Sequence, residues 1–162
     1  MATIALCRVD SRLIHGQVVT KWVSQTDANH IVVMSDMLAK DPFMKSVYMM
    51  AAPPDIQVDC YGIDEGCEEW QNSAFGKGRV LVLFGDLPSL LIAWEKGFEI
   101  KKVQVGGLGG GPKRKVVFQN ITLDDPDVEI LKQLAAKEVE IIFQTIPEDK
   151  PQSFTQVLSK YK

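Results

Sequence analysis

Histidine is scarce in this chain: there are two in 162 residues, His15 and His30. A zinc centre would need an unusual ligand set, and any imidazole chemistry has to run through one of these two side chains. No metal site and no cofactor are expected. Cysteine is almost as rare. Cys7, Cys60 and Cys67 contain no C-x-x-C pair, and an odd count makes a poor disulfide framework, so reduced and mostly buried thiols are expected. No apolar run approaches the ~18 residues that cross a bilayer. The opening MATIALCRVDSRLIHG lacks a basic leader segment and holds only a short apolar stretch. It does not read as a signal peptide, and a cytoplasmic protein is the expectation. An excess of positive charge is missing too: the formal net charge is −3, unlike the basic footprint of a nucleic-acid binder. Repeats, low-complexity tracts and linker-like stretches are absent, so 1–162 is expected to form one domain.

What the chain does have is an ordinary globular balance, 46% apolar and 24% charged residues, which excludes a disordered or fibrous protein. Apolar runs alternate with helical spacing. Strands are expected at 3–9, 30–34, 56–61, 79–84, 100–105 and 140–145, with one or two short strands in 116–122. Helices are expected to open at Gly16, Pro42, Asp64, Leu87, after Asp124-Asp125-Pro126, and at Gln152. Asp before Pro is a start signal, because the carboxylate caps free N–H groups while Pro suits the first turn. Phe43, Val47, Met50 and Ala51 fall on one face of the helix that Asp41-Pro42 opens, and Pro53-Pro54 stops it. The short, nearly continuous apolar strands suit a sheet buried on both faces. The alternation implies an α/β fold: an open, mainly parallel twisted sheet with helices on both faces.

In such sheets ligands bind beyond the carboxyl ends of the strands. The segment after the first strand reads Asp10-Ser11-Arg12-Leu13-Ile14-His15-Gly16-Gln17. A neutral imidazole is a competent nucleophile near neutral pH. Arg12 can neutralise a transferred anionic group and hold two of its oxygens. N–H groups around Gly16, at a helix start, form an anion cradle. Asp10 can orient a ring N–H or an arginine. Arg8 precedes Asp10 by two residues, so both project to one side of an extended segment. Phosphoryl transfer needs little beyond such placement and charge stabilisation. The residues alone leave a second reading open, in which Asp10, Arg12 and His15 are ordinary loop side chains. His30 stands at the amino end of its strand, away from this loop, and is assigned a structural or surface role.

The glycine-rich run Gly106-Gly107-Leu108-Gly109-Gly110-Gly111-Pro112 fits no nucleotide motif. Pro112 stands where G-x-G-x-x-G needs Gly, and also where a Walker loop needs Lys. A flexible turn, part of a site or a hairpin, is expected there, with Lys113-Arg114-Lys115 a solvated basic turn. A nucleotide- or phosphometabolite-binding module using this run is the alternative to phosphoryl carriage.

The stretch Arg8-Val9-Asp10-Ser11-Arg12-Leu13-Ile14-His15-Gly16-Gln17-Val18 resembles the IIB component of mannose/fructose/sorbose/N-acetylgalactosamine phosphotransferase systems. Ile31-Val32-Val33-Met34-Ser35-Asp36, Ala52-Pro53-Pro54 and Val103-Gln104-Val105-Gly106-Gly107 extend the resemblance over essentially the whole chain. It implies an open α/β sheet with one active-site loop, and the activity of a protein-phosphohistidine–sugar phosphotransferase. It implies that His15 takes a phosphoryl group on Nδ1 from phospho-IIA, and that a sugar imported through membrane components IIC and IID then receives it. Arg12 matches the arginine that contacts the phosphoryl group and Asp10 the loop carboxylate, while Arg8, Ser11, Gly16 and Gln17 are expected to support the phosphate loop. No IIA segment precedes the motif, so IIA is expected as a separate polypeptide or domain. Overall similarity leans toward N-acetylgalactosamine or a related hexosamine; oligomeric state stays open. A regulatory homologue, signalling through phospho-His15, is the third reading. The 108–115 segment is more glycine-rich and basic than the resemblance implies, so no role carries over to it.

Overall fold

The computed structural model describes residues 2–162. A seven-stranded sheet carries the fold, in the order β3-β2-β4-β1-β5-β8-β9. Its strands are β1 (Thr3–Asp10), β2 (His30–Met34), β3 (Gln57–Tyr61), β4 (Arg79–Phe84), β5 (Lys102–Gly107), β8 (Glu140–Phe143) and β9 (Gln152–Ser153). All neighbours pair in parallel except the edge strand β9, which is antiparallel to β8. The expected open, mainly parallel α/β sheet is what the chain forms. β6 (Lys115–Phe118) and β7 (Ile121–Leu123) make a separate antiparallel hairpin.

The sheet is buried on both faces because its strands alternate between two apolar layers. In β4, Val80, Val82 and Phe84 enter one layer, while Leu81 and Leu83 enter the other. The second layer is closed by α1 (Gly16–Thr26) through Val19 and Trp22, and by Leu38 of α2 (Asp36–Ala39). The first layer packs under α4 (Ile63–Ser73), α5 (Leu87–Glu95), α6 (Asp125–Ala136) and α7 (Phe154–Tyr161). Its centre is aromatic: Phe98 lies 5.4 Å from Trp70, 5.9 Å from Phe84 and 6.2 Å from Phe75 between ring centroids.

Helix starts follow the Asp-Pro logic. Asp41 accepts from the Met44 N–H at 3.1 Å, Asp86 from Ser89 at 2.8 Å and Asp124 from Asp127 at 2.9 Å. Each cap satisfies a donor that the helix geometry leaves free.

Several boundaries differ from expectation. α2 is an extra turn, nucleated by Ser35, whose hydroxyl accepts from the Leu38 N–H. The last helix begins at Phe154 and not Gln152, because Gln152 and Ser153 extend the sheet edge while Ser153 and Gln156 form a reciprocal capping box. β5 is shifted to 102–107, so Gly106 and Gly107 are strand residues. The helix α3 (Pro42–Met50) buries no residue, and Phe43, Val47 and Met50 of its apolar face are exposed.

β1 is the hinge of the topology. The chain runs outward from it through β2 to β3, returns to insert β4 beside β1, and places β5 on the other flank. The carboxyl end of β1 is therefore a switch point in strand order, where the crevice of an open α/β sheet forms.

Candidate active site

β1 delivers Arg8 and Asp10 to one face of the sheet, and the chain leaves it in a tight loop. Leu13 N–H donates to the Asp10 carbonyl at 2.9 Å, and Ser11 N–H donates to the Gly107 carbonyl at 2.9 Å. Leu13 takes a positive φ of 54°, a conformation that non-glycine residues adopt sparingly. Its side chain and that of Ile14 are buried in the layer beneath α1. These two anchors turn the loop over, leaving Arg12 and His15 toward solvent.

Asp10 is completely buried and is the centre of the site. Its Oδ1 accepts from the Arg12 backbone N–H at 3.0 Å and lies 3.5 Å from Arg12 Nε. Its Oδ2 lies 3.2 Å from Arg8 Nη2 and 3.1 Å from His15 Nε2. An ionised carboxylate has no donor of its own, so this contact favours the tautomer of the neutral ring with the proton on Nε2 and the lone pair on Nδ1. The His15 side chain is 21% exposed and that of Arg12 is 48% exposed.

His15 is also the residue before the first turn of α1, with extended backbone (φ −141°, ψ 115°) and no side-chain cap on the free N–H groups. Gly16 opens the helix at φ 46°, a left-handed value that favours glycine. Gln17 follows in α1. Ser11 is exposed and lines two open grooves that share Gly85 and Asp86. One, of about 440 Å³, also meets Gly109 and Arg114; the other, of about 340 Å³, meets Leu13, Met44 and Tyr48. The structure thus brings Arg8, Asp10, Arg12 and His15 into one linked set, with Ser11 and Gly16 at its rim.

Behind Asp10 lies a tier built on Arg8, whose partners sequence reasoning passed over. Arg8 is 1% exposed. It donates from Nη1 to the Gln104 side chain and to the Gln144 carbonyl, and from Nη2 to the Thr145 carbonyl. The Trp22 ring lies 5.4 Å from its guanidinium carbon, and the Trp22 indole donates to the same Thr145 carbonyl. A buried cation needs such saturation to be tolerated. Burial pulls the Arg8 pKa down and the Asp10 charge opposes that pull. The available signal was Gln104, an amide in the middle of the apolar strand Val103–Val105: a polar side chain at a buried strand position demands a partner.

The glycine-rich run changes character here. A Cβ on Gly106 would sit 2.0 Å from Arg8 Cζ, and one on Gly107 would sit 3.0 Å from Asp10 Oδ1. Close approach of the guanidinium leaves no room for a side chain at Gly106, and Gly107 is tight against Asp10. Leu108 bridges to Ile121 and the run leads into β6, so it lacks the helix start that a nucleotide cradle uses. Arg114 departs from a solvated basic turn: it reaches Asp124 at 2.9 Å, Asp127 at 2.6 Å and the Thr122 hydroxyl at 2.9 Å. His30 is buried at the far end of the sheet with Nε2 2.7 Å from Asp59, a structural pair. Among the described residues no group of three or more His, Cys, Asp or Glu side chains is arranged to hold a metal, and no helix is long and apolar enough to cross a membrane.

Comparison with known proteins gives one family throughout. The family model for the sorbose-subfamily IIB component of the sugar phosphotransferase system matches residues 4–162. The crystal structure of manxB from Thermoanaerobacter tengcongensis superposes with a TM-score of 0.93 at 35% identity, covering 99% of this chain and 98% of that one. The fructose-specific EIIB component of Bacillus subtilis is 27% identical over 98% of this chain and 97% of its own length. The mannose-specific EIIAB component of Escherichia coli is 30% identical over 97% of this chain and 49% of that protein. The chain belongs to the sorbose-subfamily IIB components of the sugar phosphotransferase system.

Proposed function

We propose that His15 accepts a phosphoryl group on Nδ1 from a phosphohistidine of a IIA domain or subunit and passes it to a sugar held by membrane IIC and IID components. The observation that carries this is the ring's asymmetry: Nε2 is committed to Asp10, which leaves Nδ1 as the nucleophile. In the accepting step the Nδ1 lone pair forms a bond to phosphorus. The P–N bond of the donor breaks and its electron pair returns to the donor imidazole. Positive charge develops on the His15 ring, 3.1 Å from the Asp10 carboxylate. Arg12, half exposed at the loop tip, meets the equatorial oxygens, and the uncapped N–H groups at the start of α1 supply further donors. In the second step a sugar hydroxyl attacks phosphorus, the P–N electron pair returns to Nδ1, and the hydroxyl proton leaves to a base on the sugar side. Neither step requires a metal, because each exchanges one bond to phosphorus for another within a preformed set of donors.

This carrier is proposed to work in the cytoplasm, docked to the inner face of its transporter. The relatives named above handle fructose and mannose at similar identity, so similarity alone does not select the sugar; N-acetylgalactosamine or a related hexosamine is retained as the proposed cargo, to be tested by uptake with the neighbouring transporter subunits. The test of the central step is His15→Ala. It should keep its fold by circular dichroism and take no label from labelled phospho-IIA. Label retained by the folded variant would overturn the assignment.

A further inference from the structure

We propose that Arg8 is a positioning residue that never touches the phosphoryl group: clamped by Gln104 of β5 and by the Gln144 and Thr145 carbonyls just past β8, it fixes Asp10 and, through Asp10, the orientation and tautomer of the His15 ring. This rests on His15 being the acceptor, and it gives the phosphate-loop support expected of Arg8 a specific form.

Donor count and burial together argue against a direct role, with four of the five guanidinium N–H groups already committed. The two Nη atoms of an arginine carry four N–H groups. In Arg8 those face four acceptors: the Gln104 side chain, the Gln144 carbonyl, the Thr145 carbonyl and Asp10 Oδ2. With 1% exposure, the side chain has no open direction toward an incoming phosphoryl group. Arg12 is its opposite, half exposed and only loosely held by Asp10 at 3.5 Å.

The geometry also gives Arg8 a task. Asp10 Oδ2 is shared between Arg8 Nη2 and His15 Nε2, at 3.2 and 3.1 Å. Arg8 therefore sets where that oxygen sits. Arg8 in turn is placed by parts of the sheet on the other side of β1. Gln104 is itself held by the Gln144 side chain at 3.4 Å, and Gln144 Nε2 donates to the Asp149 carbonyl at 3.0 Å. Thr145 is tied to β5 through its hydroxyl, which donates to the Gly106 carbonyl at 3.0 Å. Gly106 leaves the space the guanidinium occupies. The chain of contacts runs from β8 through β5 to β1 and ends on the imidazole. A histidine whose carboxylate partner is displaced can carry its proton on the wrong nitrogen, and here the wrong nitrogen is the nucleophile.

The test uses Arg8→Met, Arg8→Lys and Gln104→Leu in the full chain, each read by the ¹⁵N chemical shifts of the His15 ring and by the rate of labelling from phospho-IIA. Arg8→Met should lose the bias toward the Nε2–H tautomer and label about 10–100-fold more slowly, the range for removing a group that orients a functional side chain. Arg8→Lys restores the charge without the fork and should recover part of both. A folded Arg8→Met with wild-type ring shifts and rate overturns the proposal. If Arg8→Met does not fold, Gln104→Leu decides: it keeps the charge and removes one clamp, so shifted ring resonances and slower labelling support the role, and wild-type values in both overturn it. The ring shifts are read without phosphorylation. An unchanged ring in Arg8→Met together with an inert His15→Ala would therefore sink the role of Arg8 and leave the acceptor standing. Label on His15→Ala would sink the acceptor and with it any role of Arg8 in transfer, while the ring shifts of Arg8→Met would still show whether Arg8 orients the imidazole.

Discussion

Asp10 Oδ2 and His15 Nε2 lie 3.1 Å apart, with the carboxylate fully buried and the ring partly open to solvent. The protein commits Nε2 of the imidazole to a buried carboxylate, which favours a lone pair on Nδ1 in the neutral ring. Asp10→Asn keeps the shape of this contact but lets the amide point either its oxygen or its nitrogen at the ring. Labelling by phospho-IIA should slow about 10–100-fold, read on protein whose fold is checked by circular dichroism, because the substitution also removes the charge beside buried Arg8. A labelling rate equal to wild type would show that the contact is incidental.

Arg12 should separate transfer from docking. Its guanidinium is half exposed and makes one long contact with Asp10, so its removal leaves no buried group unpaired. Arg12→Ala should slow phosphoryl transfer by about 10²–10³-fold, the range for deleting a preorganised donor at a site of developing charge. Binding of unphosphorylated IIA, measured by calorimetry, should weaken far less. A large loss of affinity with an unchanged single-turnover rate would place Arg12 on the docking surface instead.

Two phenylalanines should respond in opposite ways. Phe98 is fully buried among Trp70, Phe75 and Phe84, and Phe98→Ala should cost about 3–5 kcal/mol through lost burial and a cavity. Phe43 on α3 is 75% exposed, and Phe43→Ser should change stability by no more than about 0.5 kcal/mol. Urea unfolding of the two variants gives both numbers, and a destabilised Phe43→Ser would mean that α3 is held by contacts absent here.

Alkaline pH should weaken the fold through two tyrosines. Tyr161 is pushed up to about 12, first by its hydrogen bond to Asp125 and then by burial and the Asp125 charge. Tyr61 is raised to about 12, chiefly by burial, with Asp59 and Glu69 adding repulsion. The ordinary value is 10.0. Between these values the folded state keeps protons that the unfolded state has lost, so stability is fully present below pH 10 and falls from there to about 12. Ultraviolet titration should show both phenols ionising late. Ionisation near 10 in the native protein would remove this contribution.

Periodicity was enough to place β4 and the Asp-Pro helices, because a strand buried on both faces and a capped helix start leave local marks. The candidate loop was legible for a different reason: the side chains that the fold links there lie within eight residues, from Arg8 to His15. Its supports were not legible. Gln104, Gln144 and Thr145 reach Arg8 only through sheet pairing, 96 to 137 positions away in sequence, and spacing rules carry no such distance. Gly106 and Gly107 were misjudged because a run of glycine looks the same whether it serves a turn or makes room for a guanidinium. The apolar face of α3 was seen correctly as a stripe. Its outward direction depends on what covers the sheet beside it, which a single helix cannot reveal.

The first turn of α1 has a consequence for energy flow. Five of the helices carry an N-cap side chain that accepts a hydrogen bond, from Ser35, Asp41, Asp86, Asp124 and Ser153. The residue in that place on α1 is His15, an imidazole that caps nothing. The unphosphorylated chain is thus left without a side-chain cap at the helix end beside the proposed nucleophile. A group arriving on His15 with negative oxygens completes it, as a detachable cap. The carrier would then be more ordered when loaded than when empty, and amide exchange at residues 16–18 is where that difference should be written.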